Sequence, residues 1–254
     1  MQQIVLIVIP VSIPSLPGRI NILVRMTFPL NAIFFDMDDT LFDFAGAQIT
    51  ACRAVAEFFG RSDGDRLFRD YFQSSVRGYE SYENILDYMH DHALPDNGIY
   101  EQACRVYEQV KLDFVTPYDG VRETLSFLQD AGYPMAVITD AHSRDAVRRL
   151  EKTGLLPHFT GVVAFDMVRI KKPAPAPFLT ALDMMKTDPE NAVLIGDSPQ
   201  RDIRPAHDLG IRTVYARYGD RLSPEQQCPD ADYVIDGMEE LIAIIRQMPS
   251  GREF

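Results

Sequence analysis

Four short apolar runs, each closing on an acidic residue, constrain this chain more than any other feature. Residues 32–35 read AIFF and stop at Asp36, and 135–138 read MAVI and stop at Thr139-Asp140. Residues 161–165 read GVVAF before Asp166, and 192–195 read AVLI before Gly196-Asp197. Runs this short and this apolar suit strands buried on both faces of a parallel sheet. Residues 213–215 and 233–235 are weaker candidates of the same kind. Between the runs lie helical stripes. Val121, Leu125 and Leu128 form one that ends near Gly132, and Val147 and Leu150 begin one that ends at Gly154. Phe178, Leu182 and Met185 form a third, and Met238, Leu241, Ile242 and Ile245 the last. Strands alternating with helices predict an α/β fold, an open Rossmann-like parallel sheet with right-handed crossovers and helices on both faces. Such sheets bind ligands at the carboxyl ends of their strands. Asp36, Thr139 and Asp197 fall there.

One segment breaks the alternation. Residues 44–114 carry no strand pattern, only helical stripes such as Ala51, Val55, Phe58-Phe59 and Ile99, Ala103, Val106, Val110. Leu67, Tyr71 and Ile85, Tyr88, Met89 fit further helix between them. The expected organisation is therefore a core of residues 26–43 and 115–254 and an inserted all-helical cap domain of residues 44–114. Both junctions open over the strand ends, where a lid would sit. Residues 1–25 read as a poorly ordered or mis-annotated extension, with Met26 a plausible start. Their apolar run IVLIVI is far shorter than the ~20 residues a membrane span needs, and Met1-Gln2-Gln3 lacks the basic start of a signal peptide. An added edge strand or a membrane-surface anchor is the alternative.

Composition narrows the function. With 254 residues, 46% hydrophobic and 24% charged, the chain is an ordinary globular one and not a disordered or low-complexity chain. Its net charge of −12 argues against a nucleic-acid partner. Cys52, Cys104 and Cys228 lie far apart with no CxxC pair, which excludes a zinc knuckle and fits a reducing cytoplasm.

The chemistry concentrates in Asp36-Met37-Asp38-Asp39-Thr40. Two carboxylates two residues apart after a buried strand repel, by about 4 kcal/mol for like charges ~4 Å apart at an effective dielectric of ~20. A chain keeps such a pair when a cation or a proton compensates it, and Mg²⁺ takes hard oxygen ligands of this kind. Further along come Val137-Ile138-Thr139-Asp140, then Lys171-Lys172-Pro173-Ala174-Pro175, then Gly196-Asp197 with Asp202 five residues on. These four pieces, in this order, resemble the motifs of the haloacid dehalogenase superfamily of phosphohydrolases, in the subclass with a helical cap after the first motif. The resemblance spans 32–245.

What it implies can be set out residue by residue. Asp36 is the expected nucleophile, forming an aspartyl-phosphate. Asp38 is the expected acid for the leaving alcohol and then base for water. Thr139 and Lys172 are expected to hold the phosphoryl oxygens. Mg²⁺ is the expected cofactor, on Asp36, the Asp38 carbonyl, Asp197 and Asp202. Thr139, Asp140, Lys172, Phe42 and Arg77 are the expected substrate contacts. Asp38 also argues against a dehalogenase, because halide leaves without a proton. The implied activity is a Mg-dependent phosphomonoesterase acting on a small phosphorylated metabolite, as a cytoplasmic monomer or homodimer. A phosphotransferase or mutase, and a non-catalytic module that binds a phosphate ligand, are the alternatives. Position 39 is Asp where the family often has Gly, and position 140 is Asp where Asn is common. Asp43 and Ser198 read as caps, Lys171 as a solvated neighbour, and His90 and His92 as surface residues on different helix faces.

Overall fold

The computed structural model describes residues 30–74, 77–221, 228 and 230–248, and the backbone of 5–12 and 19–26. The four apolar runs form strands β3 (Ala32–Phe35), β4 (Met135–Ile138), β5 (Gly161–Val163) and β6 (Ala192–Gly196). The two weaker candidates form β7 (Arg212–Ala216) and β8 (Tyr233–Ile235). All six belong to one parallel sheet in the order β5-β4-β3-β6-β7-β8. The third run is shorter than its apolar stretch. Ala164 leaves the sheet, and Phe165 opens a one-turn helix, α7 (Phe165–Val168), whose first turn contains Asp166.

Period-two alternation explains why these runs carry no polar residue. Ile33 and Phe35 of β3 point into one apolar cluster with Met135, Val137, Val193 and Ile195. Ala32 and Phe34 point into the other with Ala136, Ile138 and Leu194. The first face is covered by α5 (Val121–Asp130), α6 (Ser143–Lys152) and α10 (Glu240–Gln247), through Leu125, Leu128, Leu150, Leu241 and Ile245. The second is covered by α8 (Ala176–Met185) and α9 (Arg204–Asp208), through Phe178, Ala181, Leu182 and Ala206. Each fully buried Leu, Ile, Val or Phe contributes about 1.5–3 kcal/mol relative to exposure, so a strand residue facing solvent on neither side has to be apolar. The helices that follow β3 and β4 lie on one face, and those that follow β5 and β6 on the other. The chain thus reverses direction across the sheet between β3 and β6, and a crevice opens at their carboxyl ends.

Residues 44–114 carry helices and no strand among the described residues. They form α1 (Phe44–Phe58), α2 (Gly64–Leu67), a π-helical turn (Phe68–Gln73), α3 (Glu83–Asp91) and α4 (Ile99–Phe114). Asp43 caps α1 by accepting a hydrogen bond from the Gly46 N–H at 2.8 Å, as its position before the helical stripe suggests. These helices enclose an apolar cluster of their own, built on Val55, Leu67, Phe72, Ile85, Tyr88 and Tyr107. They meet the sheet's covering layer along α6. Arg148 pairs with Glu108 at 3.2 Å, and Lys152 with Asp113 at 2.8 Å.

Within the leading segment, β1 (Val5–Ser12) pairs antiparallel with β2 (Arg19–Met26), in a two-stranded sheet separate from the six-stranded one. The remainder of residues 1–25 lies outside the described residues.

Candidate active site

Asp36 follows directly on β3 and Asp197 directly on β6, so neighbouring parallel strands place the two carboxylates side by side. The ladder continues one step past β3, where Asp36 N–H donates to Ile195 O at 2.8 Å. Thr40, fully buried, lies between the two acids. Its Oγ1 is 3.3 Å from Asp36 Oδ2 and 3.2 Å from Asp197 Oδ1, and it accepts from the Asp197 N–H at 3.0 Å. Asp202 enters from the π-helical turn Pro199–Ile203, with its Oδ2 held by the Ser198 N–H at 3.0 Å. Ser198 in turn caps that turn by accepting from the Arg201 N–H, as expected. Gly196 leaves room for this, because a Cβ there would stand 2.6 Å from Asp202 Cβ.

Lys172 arrives from the loop before α8. Its buried ammonium donates to Asp36 Oδ1, to Asp202 Oδ1 at 2.6 Å and to the Ile138 carbonyl at 3.1 Å. Asp140, from the end of β4, accepts from the Lys172 backbone N–H at 2.9 Å and so fixes the loop that delivers the lysine. Thr139 lies one residue earlier, and its hydroxyl accepts from the Ala141 N–H at 3.1 Å.

Charges decide which protonation states this cluster adopts. Burial alone would raise the Asp36 carboxyl, but the Lys172 and Arg201 charges hold it below its ordinary value. Burial, with the charges of Asp36 and Asp202, pushes Asp197 well above the ordinary carboxylate range. Asp202 is raised by burial and by Asp36, against the pull of Lys172 and Arg201. Three carboxylates against the Lys172 ammonium and the Arg201 guanidinium still leave one negative charge uncompensated, which a buried site tolerates only with a cation or a proton. One oxygen of each of Asp36, Asp197 and Asp202 lies within 4.8 Å of the others. An all-carboxylate oxygen set of that span fits a hard divalent cation such as Mg²⁺.

Asp38 turns the other way. Its carboxylate faces a cavity of about 880 Å³ between the strand ends and the helical unit. Arg149 of α6 holds it, with Nη1 3.0 Å from Oδ1 and 2.7 Å from Oδ2. Burial lifts the Asp38 carboxyl to about 7, with Arg149 opposing and Glu80 assisting. Asp39 adopts the left-handed φ of 62°, which accounts for the frequency of Gly at this place in the resemblance. A short polar side chain also tolerates that region, and Asp39 Oδ1 accepts from the Ala45 N–H at 2.9 Å.

The cavity wall also contains Asp140, Lys172, Asp197 and Arg201 from the core, and Gln48, Arg53, Arg69, Arg77 and Tyr79 from the helical unit. Arg77 therefore reaches the wall, bound to Asp87 at 2.7 Å and to Glu83. Phe42 lies away from this wall. It is fully buried in the core cluster and takes no part in lining the cavity, because its backbone bridges Asp38 and Pro117 and turns its ring inward. His92 bonds within the helical unit, its Nδ1 against Tyr88 O at 2.9 Å. His142 lines the cavity in an edge-to-face contact with Phe165, and Lys171 lies over the same ring.

A family model for haloacid dehalogenase-like hydrolases matches residues 33–216, a span that contains every one of these charged groups. The chain belongs to the haloacid dehalogenase-like hydrolase family. Among its relatives is the glyceraldehyde 3-phosphate phosphatase of Methanopyrus kandleri, 29% identical over 86% of this chain and 98% of that one. The N-acetylmuramic acid 6-phosphate phosphatase of Pseudomonas aeruginosa is 30% identical over 85% of this chain and 95% of its own length. The solved structure of a haloacid dehalogenase-type phosphatase from Thermococcus onnurineus superposes with a TM-score of 0.61 at 25% identity, covering 87% of this chain and 99% of that one. The hydrolase thus carries the parallel sheet that its sequence predicts. No described helix is long and apolar enough to cross a membrane.

Three residues at the site escape sequence reasoning. Arg149 sits in the apolar stripe of α6 between Ala146 and Leu150, where a charged residue is the one available sign of a buried ion pair. Arg201 lies beside Asp202 within the last motif, and its guanidinium raises the positive potential over Asp36 and Asp202. Glu80 has no local signal, because only the packing of the helical unit on α6 brings it to Arg149.

Proposed function

We propose that this hydrolase is a phosphatase that cleaves a small phosphate monoester through an aspartyl-phosphate on Asp36. The observation that carries the reading is the pairing of Asp36 with the buried Lys172 ammonium at the carboxyl end of β3. A carboxylate kept ionised beside a cation, one shell from a cavity, is equipped to attack phosphorus. Lys172 and Arg201 then face the phosphoryl oxygens with positive charge, and the Thr139 hydroxyl adds a donor. Asp38, raised to about 7, is protonated in a useful fraction near neutrality. It gives its proton to the leaving alkoxide and afterwards takes one from the water that opens the acyl phosphate. Asp36, Asp197 and Asp202, with the Asp38 carbonyl, would hold Mg²⁺. When bound, the ion neutralises the charge that would keep a carboxylate from a phosphate dianion.

The named relatives act on glyceraldehyde 3-phosphate and on N-acetylmuramic acid 6-phosphate. A cavity of about 880 Å³ under a helical cap, residues 44–114 over a core of 26–43 and 115–254, fits substrates in that range and excludes a folded protein. The presence of an acid at position 38 favours this over carbon–halogen cleavage, in which halide leaves unprotonated. Asp36→Asn tests the nucleophile. Turnover of p-nitrophenyl phosphate should fall at least ~10³-fold with the fold intact by circular dichroism, and no acid-stable ³²P label should remain on the protein. Activity within a few-fold of the unmodified enzyme would refute the assignment. Release of phosphate bearing ¹⁸O from labelled water separates a phosphatase from a phosphotransferase.

A further inference from the structure

We infer that Arg149 is a positioning residue for the Asp38 acid, and that Glu80 of the helical unit completes its setting. The inference rests on the reading of Asp38 as the proton donor. Arg149 is 2% exposed, yet its guanidinium carries two carboxylates, Asp38 from the sheet side and Glu80 from the helical side. Both carboxylates line the cavity, whereas Arg149 does not. One nitrogen, Nη1, spans both Asp38 oxygens at 3.0 and 2.7 Å, and Nη2 donates to Glu80. The guanidinium lies 4.0 Å from the centroid of the Phe44 ring, which blocks its movement on that side. A planar cation fixed by a ring and two acids leaves one orientation for the Asp38 carboxyl, a directional restraint that a point charge such as Lys does not impose.

The arrangement has a consequence for the order of events. Asp38 and Arg149 both belong to the core, and Glu80 belongs to the helical unit, on a stretch between the π-helical turn and α3. Two further α6 cations, Arg148 and Lys152, hold Glu108 and Asp113 of α4. The face of α6 that seats the helical unit is therefore the face that orients the acid. With the unit seated, Glu80 anchors the second arm of the guanidinium; with it lifted, that arm is released and the Asp38 carboxyl loses its fixed plane. Proton donation is thereby tied to a covered cavity.

Leaving groups of different basicity test this. When the phosphorus–oxygen bond breaks, p-nitrophenolate departs as a stable anion, but the alkoxide of glycerol phosphate must take a proton from Asp38. Values of kcat/KM report only the steps up to alcohol release, before the water-activating step common to all substrates. Arg149→Met should lower kcat/KM for β-glycerophosphate ~100-fold and for p-nitrophenyl phosphate less than ~5-fold. Phenyl phosphate should fall between them. Arg149→Lys should recover part of the loss. Glu80→Gln, a half-exposed change that leaves the buried arginine in place, should give the same selective pattern at ~5–10-fold. Equal losses on all three substrates in both Arg149→Met and Glu80→Gln would overturn the inference and leave a structural role. Asp38→Asn is the control for the underlying reading. If it shows the selective loss and the Arg149 and Glu80 variants do not, the positioning role alone fails. If Asp38→Asn itself lacks the selectivity, the acid assignment fails.

Discussion

Gly219 shows how tightly single residues are set around the cluster. It lies after β7, where a Cβ would fall 1.7 Å from the Asp39 carbonyl oxygen and 3.0 Å from Asp197 Cβ. No side chain fits unless one of the two acid-bearing loops moves. Tyr218, its neighbour, donates to Thr40 O at 2.7 Å and holds the same loop from the other side. Gly219→Ala should therefore cost about 1–3 kcal/mol of stability, the usual range for overpacking, and lower kcat/KM by at least ~10-fold. Urea unfolding together with turnover of p-nitrophenyl phosphate checks both. An alanine variant of unchanged activity would mean that the loop tolerates a displacement the geometry forbids.

At the scale of elements, the helical unit carries its own electrostatic pin. Asp63 accepts from Arg61 at 2.8 Å and from the Tyr88 hydroxyl at 2.5 Å, joining the start of α2 to α3. These bonds, that with Arg61 foremost, hold the Asp63 carboxyl well below its ordinary range despite partial burial. A carboxylate whose folded pKa is depressed stabilises the fold only while it is ionised. Its contribution is complete above the unfolded value of ~3.9 and fades as the pH falls toward the folded one. Asp63→Asn should lower stability by about 1 kcal/mol near neutral pH, with both partners partly solvated. The gap from the unmodified protein should narrow progressively below pH ~4. Thermal unfolding at a series of pH values measures it, and a gap as wide in acid as at neutrality would contradict the argument.

For the whole molecule, the decisive quantity is the excess negative charge gathered where β3 and β6 end. Any cation that binds only the folded cluster must stabilise the entire chain, by about 2.7 kcal/mol at 100 times its dissociation constant. Millimolar Mg²⁺ should raise the melting temperature of the hydrolase, and EDTA should reverse the rise and remove activity. Asp197→Asn should abolish the thermal shift at equal ionic strength. A shift of the same size in Asp197→Asn would place the ion elsewhere on a chain of net charge −12.

The sequence by itself determined the sheet and the groups at its edge. A strand buried on both faces must be apolar throughout, and it can end in a carboxylate only where it leaves the core. AIFF-Asp36 and AVLI-Gly196-Asp197 therefore announce both a strand and a site. Lys172 and Asp202, which meet Asp36 at the cluster, were legible because short motifs fix them relative to those strand ends. The tertiary structure alone decided what surrounds Asp38. Arg149 lies 111 residues from Asp38 and 69 from Glu80, and no local pattern records such a separation. Phe42 shows the converse, since it stands close to Asp38 in sequence and yet its ring is buried in the core. Periodicity reports which face of an element is buried. It does not report which charge from another element is buried against it, because that depends on how the helical unit packs on α6.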